Sequence, residues 1–315
     1  MTLHSIPANP VPEGAVTGYL TTSDNVKIRF ARWNPTKPRK GTVCVFGGRG
    51  DMIEKFFEVI NDLRARGFAV AMLDWRGQGG SQRLLSDPRK GYVRRFADYQ
   101  LDLEVFMREV VLPDCPAPMF ALAHSMGGAI VLEALRFGRR WFDRAVLSSP
   151  MIGLYGRLGT PLVRYAARTG TLLGLGRAYI PGGGPFAITN RPFLGNFVTS
   201  DPVRYQRTAS LVEAVPELGL GSPTFRWAST SLQAMTRLQD PLYPSSLRQP
   251  MLILAAGADQ IVSTPMIERF SVRLRAGSHL IVPGSKHELM MERDVYRSQF
   301  WAAFDAFVPG SPSYR

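Results

Sequence analysis

Five short, predominantly apolar stretches punctuate this chain: Thr42 to Phe46, Phe68 to Leu73, Met119 to Ala123, Arg144 to Ser148 and Met251 to Ala256. A strand that reads as an unbroken apolar run is covered on both faces, which happens in parallel sheets flanked by helices. Between the runs lie helical patterns. After Ile53, the residues Phe56, Phe57, Ile60 and Leu63 recur at three- and four-residue steps, and Gly67 ends that helix. Further helices are predicted over roughly Phe96 to Val111, Ser125 to Phe137, Pro265 to Arg275 and Glu288 to Phe307, with a last strand at Leu280 to Val282. This alternation predicts an α/β fold, a mostly parallel, doubly wound sheet. Tyr19 to Trp33, turning at Ser23, Asp24 and Asn25, adds an N-terminal antiparallel hairpin.

The rhythm breaks between Pro150 and about Pro250, where Gly and Pro become dense, as in GLGRAYIPGGGPF, and helical patterns are short. Residues 150–249 therefore read as an insertion, between a first core part, 1–149, and a second, 250–315. A chain of 315 residues with 45% hydrophobic content can bury a core of this kind.

The formal charge is +13, which favours an anionic partner. The basic residues are mostly arginine, scattered from Arg29 to Arg315 as a codon preference would scatter them, and no nucleic-acid motif accompanies them, so no nucleic acid is expected. Two cysteines, Cys44 and Cys115, give neither a disulfide framework nor a paired-thiolate zinc site. The leader MTLHSIPANPVPEG lacks the marks of a signal peptide, and no run approaches the roughly 18 apolar residues of a membrane span. The expectation is a cytoplasmic chain, with peripheral contact at the inner face of the membrane left open.

Chemistry enters at ALAHSMGGAI, Ala121 to Ile130. A serine with small residues two places either side, at a junction of buried strand and helix, is the pattern of a nucleophile elbow. Ala123 stands where a glycine is usual, while Gly127 and Gly128 are retained. A capping serine at an ordinary strand–helix junction is the plainer reading of the stretch alone.

A serine hydroxyl needs a histidine base, and an acid to orient that base. Of four histidines, His4 lies in the leader, His124 adjoins the serine and His279 stands at the start of a predicted strand. His287, in VPGSKHEL, lies in a loop after a late strand. Asp259, in MLILAAGADQIV, lies just past a buried run. The order Ser125, Asp259, His287 brings all three to one sheet edge in this kind of fold. Negative charge on a substrate oxygen would need backbone donors: Met126 N–H is one, and the GGRG loop offers Arg49 N–H, with Gly48 as the alternative. GGRGD lacks the dinucleotide fingerprint and the phosphate-loop lysine.

With GGRGDMIEKF, LDWRGQGGS, AHSMGG, AAGADQIV and GSKHELMME in place, the chain resembles the α/β-hydrolase superfamily from about Gly41 to Phe307. Within it, the chain looks like the lysophospholipase and monoacylglycerol lipase family of bacterial serine hydrolases. The resemblance implies an α/β-hydrolase fold in which 150–249 is a helical cap or lid, and a loop-shaping, non-catalytic role for Asp74 to Ser81. It also implies a carboxylic-ester hydrolase that takes a small, lipid-like monoacyl ester, lysophospholipid first and monoacylglycerol second, with no metal or organic cofactor. Gly47 stands where monoacylglycerol lipases carry the histidine of a His-Gly pair, which leans toward the lysophospholipase branch.

In the inserted segment, Leu154, Leu158, Leu162, Leu172, Leu173, Leu175, Phe186, Phe193 and Phe197 are candidates to line an acyl-chain pocket, or to pack among cap helices. Arg157, Arg164, Arg168 and Arg177 could meet lipid phosphates or form a solvated face. A general carboxylesterase is an alternative, as are an aminopeptidase of the same fold, an acyltransferase and a non-catalytic relative. A basic insertion argues against the peptidase, and a complete triad against the non-catalytic relative.

Overall fold

The computed structural model describes residues 3–36, 40–156, 160–187 and 191–309. Among the described residues, eight strands form one sheet in the order β1-β2-β4-β3-β5-β6-β7-β8. They are β1 Val16–Thr21, β2 Lys27–Trp33, β3 Thr42–Phe46, β4 Ala69–Leu73, β5 Met119–His124, β6 Arg144–Ser148, β7 Met251–Ala256 and β8 Gly277–Val282. β2 runs antiparallel to β1 and β4, and every other pairing is parallel. Asn25, at φ 63°, makes the β1–β2 turn.

Among the described residues there are ten helices in chain order: α1 Phe57–Ala65, α2 Tyr99–Phe106, α3 Leu112–Asp114, α4 Met126–Arg136, α5 Pro161–Leu172, α6 Pro202–Ala214, α7 Phe225–Leu238, α8 Tyr243–Ser246, α9 Thr264–Ser271 and α10 Asp294–Phe307. The pleat sorts successive residues to opposite faces. Val43, Val45, Phe120, Leu122 and Val146 join the cluster under α1 and α10. Cys44, Phe46, Ala121, Ala123, Ala145 and Leu147 join the cluster under α2, α4, α7 and α9. Cys44, Ala121, Ala123 and Ala145 keep part of this second face small, which lets α4 settle deep: Met126 to Leu135 are all buried.

Three departures from the sequence reading have physical causes. The helix expected from Phe96 to Val111 is a 3₁₀ turn, α2, a wide π turn at Met107–Val111 and then α3. Pro113 cannot donate to the carbonyl four residues back and its ring crowds it, which a wider turn relieves. The last helix begins at Asp294 rather than Glu288: Leu289–Met291 forms a separate 3₁₀ turn that ends at the extended, buried Glu292, whose carboxylate accepts Arg293 N–H (3.0 Å) just before α10. β8 starts at Gly277 instead of Leu280; as an edge strand it is exposed over Gly277 to Leu280 and needs no apolar run there.

α5 to α8 all fall between β6 and β7, on residues 150–249. Their starts are marked locally: Asp201 caps α6 by accepting Arg204 N–H, and Thr224 caps α7 by accepting Trp227 N–H. Gly170 of α5 lies where a Cβ would come 2.5 Å from the Phe225 ring, so α5 and α7 pack through that missing side chain.

Candidate active site

The junction of β5 and α4 holds Ser125 at φ 51°, ψ −114°, a conformation an L-residue adopts at a cost of order 1–3 kcal/mol. The neighbouring strands enforce it. A Cβ on Gly127 would come within 2.5 Å of Phe46 O and 2.6 Å of Gly47 O, and one on Gly128 within 2.8 Å of Pro150 Cβ. The two glycines thus make room for the ends of β3 and β6 rather than for their own strand. Ala123, fully buried, pairs between Phe46 and Leu147.

His287 reaches this serine from the loop after β8: Nε2 lies 3.0 Å from Ser125 Oγ. Its Nδ1 lies 2.7 Å from Asp259 Oδ2, in the loop after β7. Asp259 Oδ1 accepts Ile261 N–H (2.7 Å) and Val262 N–H (3.0 Å). Burial alone would raise the Asp259 pKa, but the charge and hydrogen bond of His287 and these two amides hold it below the usual carboxylate range. All three side chains, drawn from positions far apart in the chain, are buried together.

The loop after β3 lies against the same serine; a Cβ on Gly48 would be 3.0 Å from Ser125 Cβ. Gly48 N–H donates to Asp51 Oδ2 (2.6 Å) and Gly50 N–H to Gln78 Oε1 (3.2 Å). Among the described residues, Arg49 N–H and Met126 N–H have no hydrogen-bond partner. The segment Asp74 to Ser81 braces this loop: Trp75 Nε1 donates to Gly47 O (2.9 Å), and Gln78 Nε2 to Gly48 O (2.8 Å) and Asp51 O (3.1 Å). Asp51 is itself held by Lys55 (2.7 Å), which also binds Glu288 beside the histidine (2.7 Å). Burial alone would raise the Asp51 pKa; Lys55 and Gly48 N–H keep it lowered.

His124, next to the serine, has its ring centroid 4.8 Å from that of His287. Burial first, then the nearby His287 charge, push its pKa down to about 3, so it is neutral. Its Nδ1 lies 3.2 Å from Ser148 O, which assigns the proton to Nδ1. The sequence reading placed Trp75 and Gln78 within the loop-shaping segment Asp74 to Ser81, but passed over Asp51, Lys55 and Glu288. The one signal available was the Asp51–Lys55 spacing of four residues, an ion-pair spacing on a helix.

Ser125 opens into a cavity of about 410 Å³ whose walls include Met151, Leu154, Phe197, Val198, Trp227 and Ile261. Of the candidate pocket residues, Leu154 and Phe197 line it, and Phe186 lines an adjoining cavity of about 220 Å³. Leu162, Leu172, Leu173, Leu175 and Phe193 instead face outward, exposed at 75, 76, 72, 48 and 36%. α5 is amphipathic, but the residues it buries against α7 are the small Ala167 and Gly170, which leaves its larger apolar side chains to the outside. Leu158 and Arg157 lie outside the described residues. Arg164 bonds Thr236 and Gln239 of the α7 region, while Arg168 and Arg177 are exposed. Among the described residues, no group of three His, Cys, Asp or Glu side chains is placed to hold a metal.

Compared with known proteins, residues 37–294 match the model of a family described as serine aminopeptidase, S33. The chain belongs to this family. Lysophospholipase L2 of Escherichia coli K12 is 32% identical over 294 residues, 88% of this chain and 83% of that protein. A probable lysophospholipase L2 of Haemophilus influenzae is 28% identical, over 95% of this chain and 94% of its own. Among solved structures, a soluble variant of monoglyceride lipase from Saccharomyces cerevisiae, in complex with a substrate analog, superimposes with a TM-score of 0.74. It covers 94% of this chain and 96% of its own, at 19% identity, which establishes a common α/β-hydrolase fold. The S33 model spans β3 to β8 and Ser125, Asp259 and His287; the β1–β2 hairpin and nearly all of α10 lie outside it.

Proposed function

We propose that this carboxylic-ester hydrolase acts on monoacyl lipids, lysophospholipids first and monoacylglycerols second, with Ser125 as nucleophile, His287 as general base and Asp259 as the acid that orients it. The observation that carries the reading is the continuous relay, 3.0 Å from Oγ to Nε2 and 2.7 Å from Nδ1 to the carboxylate, opening into a mainly apolar cavity. His287 takes the Ser125 proton as Oγ attacks the ester carbonyl carbon. The Met126 and Arg49 N–H groups, both unengaged, receive the developing oxyanion; Gly48 N–H is occupied by Asp51 and is set aside. His287 then protonates the leaving alcohol, and next activates the water that attacks the acyl-enzyme carbonyl, releasing fatty acid and Ser125.

The S33 description names peptidases, so the amide reading needs a reason for being second. An aminopeptidase must hold a substrate ammonium. The cavity's other carboxylates, Asp51 and Glu288, are both ion-paired with Lys55, and the residues that 150–249 contributes to the wall are apolar. The two relatives named lysophospholipases cover most of their length with this chain, which supports the ester.

Residues 150–249 act as a cap over the site in this reading. The outward stripe of Leu162, Tyr165, Leu172 and Leu173 on and after α5, flanked by Arg168 and Arg177, would rest on an anionic lipid surface. No helix among the described residues is long and apolar enough to cross a membrane, and peripheral contact at the cytoplasmic face is the location proposed. A fluorophosphonate probe applied to wild type and Ser125→Ala, followed by assays of lysophosphatidylcholine, monoacylglycerol and an aminoacyl amide, tests the whole. Labelling lost in Ser125→Ala and fatty acid released from the lipids are the expected results; amide cleavage without ester cleavage would overturn the lipid reading.

A further inference from the structure

Among the described residues, the buried arginines Arg29, Arg76 and Arg297 are paired with acids, and the half-buried Arg83 rests on backbone carbonyls. Arg29 is clasped by Glu54 and Asp74, and Arg76 by Asp24 and Asp102. Arg49 differs. Its Nη2 donates to Gly221 O at 2.5 Å and its guanidinium lies 5.0 Å from the Trp227 ring centroid. Its Nε is buried with no partner, and among the described residues no carboxylate pairs with it. Burial pulls its pKa down to about 10, so it remains a cation at neutral pH.

The placement gives that charge a use. Arg49 lines both the Ser125 cavity and the adjoining one, and so stands where the two meet. The adjoining cavity has Arg191 as a second, exposed cation, and the loop Gly219 to Pro223 as a wall. Its acids, Asp51 and Glu288, share the one ammonium of Lys55, and with Arg49 and Arg191 counted its cations outnumber its carboxylates by one.

We infer that the adjoining cavity is a subsite for a phosphate ester on the head-group side of the substrate, with the free guanidinium edge of Arg49 as its main contact. The inference rests on the lipid-ester reading above and names which lipids the site prefers. Arg49 would then touch the substrate twice. Its backbone N–H meets the oxyanion, and its guanidinium carbon lies as many bonds from that nitrogen as phosphorus lies from the ester carbonyl carbon in a 1-acyl lysophospholipid. A phosphate satisfies the buried cation through charge-assisted hydrogen bonds, whereas the bare glycerol of a monoacylglycerol leaves it unpaired.

Calorimetric titration of Ser125→Ala protein with sn-glycerol 3-phosphate, inorganic phosphate and glycerol reads the subsite without turnover. The expected result is glycerol 3-phosphate binding about tenfold or more tighter than glycerol, weakened by Arg49→Met and partly restored by Arg49→Lys. Inorganic phosphate binding as tightly as glycerol 3-phosphate would overturn the head-group assignment, and no binding of either would overturn the subsite. Because Arg49 also braces Gly221, its variants can fail to fold, so wild-type protein supplies a second readout. The ratio of kcat/KM for lysophosphatidate over a monoacylglycerol of equal chain length should exceed one and fall as salt rises; a ratio indifferent to salt would count against the subsite. If wild type hydrolyses neither ester, the substrate reading fails, while the titration still decides the subsite.

Discussion

The sheet and the segment between β6 and β7 are built on different terms. β3 to β7 are buried along almost their whole length and packed from both faces, and side chains such as Phe46, Val45 and Leu147 have no exposed surface. Burying each such side chain stabilises the fold by about 1.5–3 kcal/mol. The inserted segment packs the apolar face of α7, Leu232, Ala234, Met235 and Leu238, into the core but leaves much of its other apolar surface outside, where polar struts tie it to the sheet. Arg204 of α6 joins Glu58 of α1 and Asp294 of α10, Arg237 of α7 joins Glu133 of α4, and Ser200 binds the buried Glu292. The strands that carry Ser125, Asp259 and His287 are thus held by packing, and the outer part of the inserted segment by ion pairs and hydrogen bonds.

Breaking the rigid side should have the largest effects. Ser125→Ala and His287→Ala should each lower kcat by about 10⁴-fold or more, and Asp259→Asn by less, read as steady-state fatty acid release. Next come changes in the elbow's support. Gly127→Ala sets a methyl against two backbone carbonyls that cannot turn aside, and should cost a few kcal/mol of stability, of order 1–3 or above, together with most of the activity. Ala123→Val should overpack the strand and cost about 1–3 kcal/mol, while Ala123→Gly should leave activity near wild type; thermal melts beside rate assays check both.

The struts of the insertion should respond to acid. Burial alone would raise the Glu58 pKa, but Arg204, Arg297 and Arg207 hold it down to about 2 against an ordinary 4.5. A carboxylate with a depressed folded-state pKa contributes fully above its unfolded value, and that contribution fades as pH falls toward 2. Glu58→Gln should therefore cost about 1–2 kcal/mol at pH 7 and flatten the loss of stability between pH 4.5 and 2, measured by urea unfolding across that range. The smallest change is expected on the outer face. Leu172→Ser with Leu173→Ser should leave the melting temperature within a few degrees, yet slow hydrolysis of lipid presented in anionic vesicles several-fold relative to a dispersed short-chain ester.

The same contrast explains what could be read from the sequence. The sheet was legible because burial on both faces writes itself as apolar runs; the meeting of Ser125, Asp259 and His287 was legible because the first two each follow such a run and the third follows the last predicted strand. The GGRG loop was legible only in outline. Which amide is free depends on Asp51 and Gln78 taking the others, contacts between residues up to thirty positions apart that leave no local periodicity. In the insertion, Leu162, Leu172 and Leu173 were candidates for the pocket, but an apolar residue on an amphipathic helix does not say whether its partner is a cavity or a lipid surface. The cavity wall was drawn partly from Met151, Val198 and Trp227, which carry no pattern at all.

The most direct test sets lysophosphatidylcholine and an aminoacyl anilide before wild type and Ser125→Ala under the same conditions. Fatty acid released by wild type, absent in Ser125→Ala, with the anilide untouched, is the expected outcome. Anilide cleavage in place of ester cleavage, or fatty acid release surviving the loss of Ser125, would contradict the relay and the apolar cavity as the working parts of this enzyme.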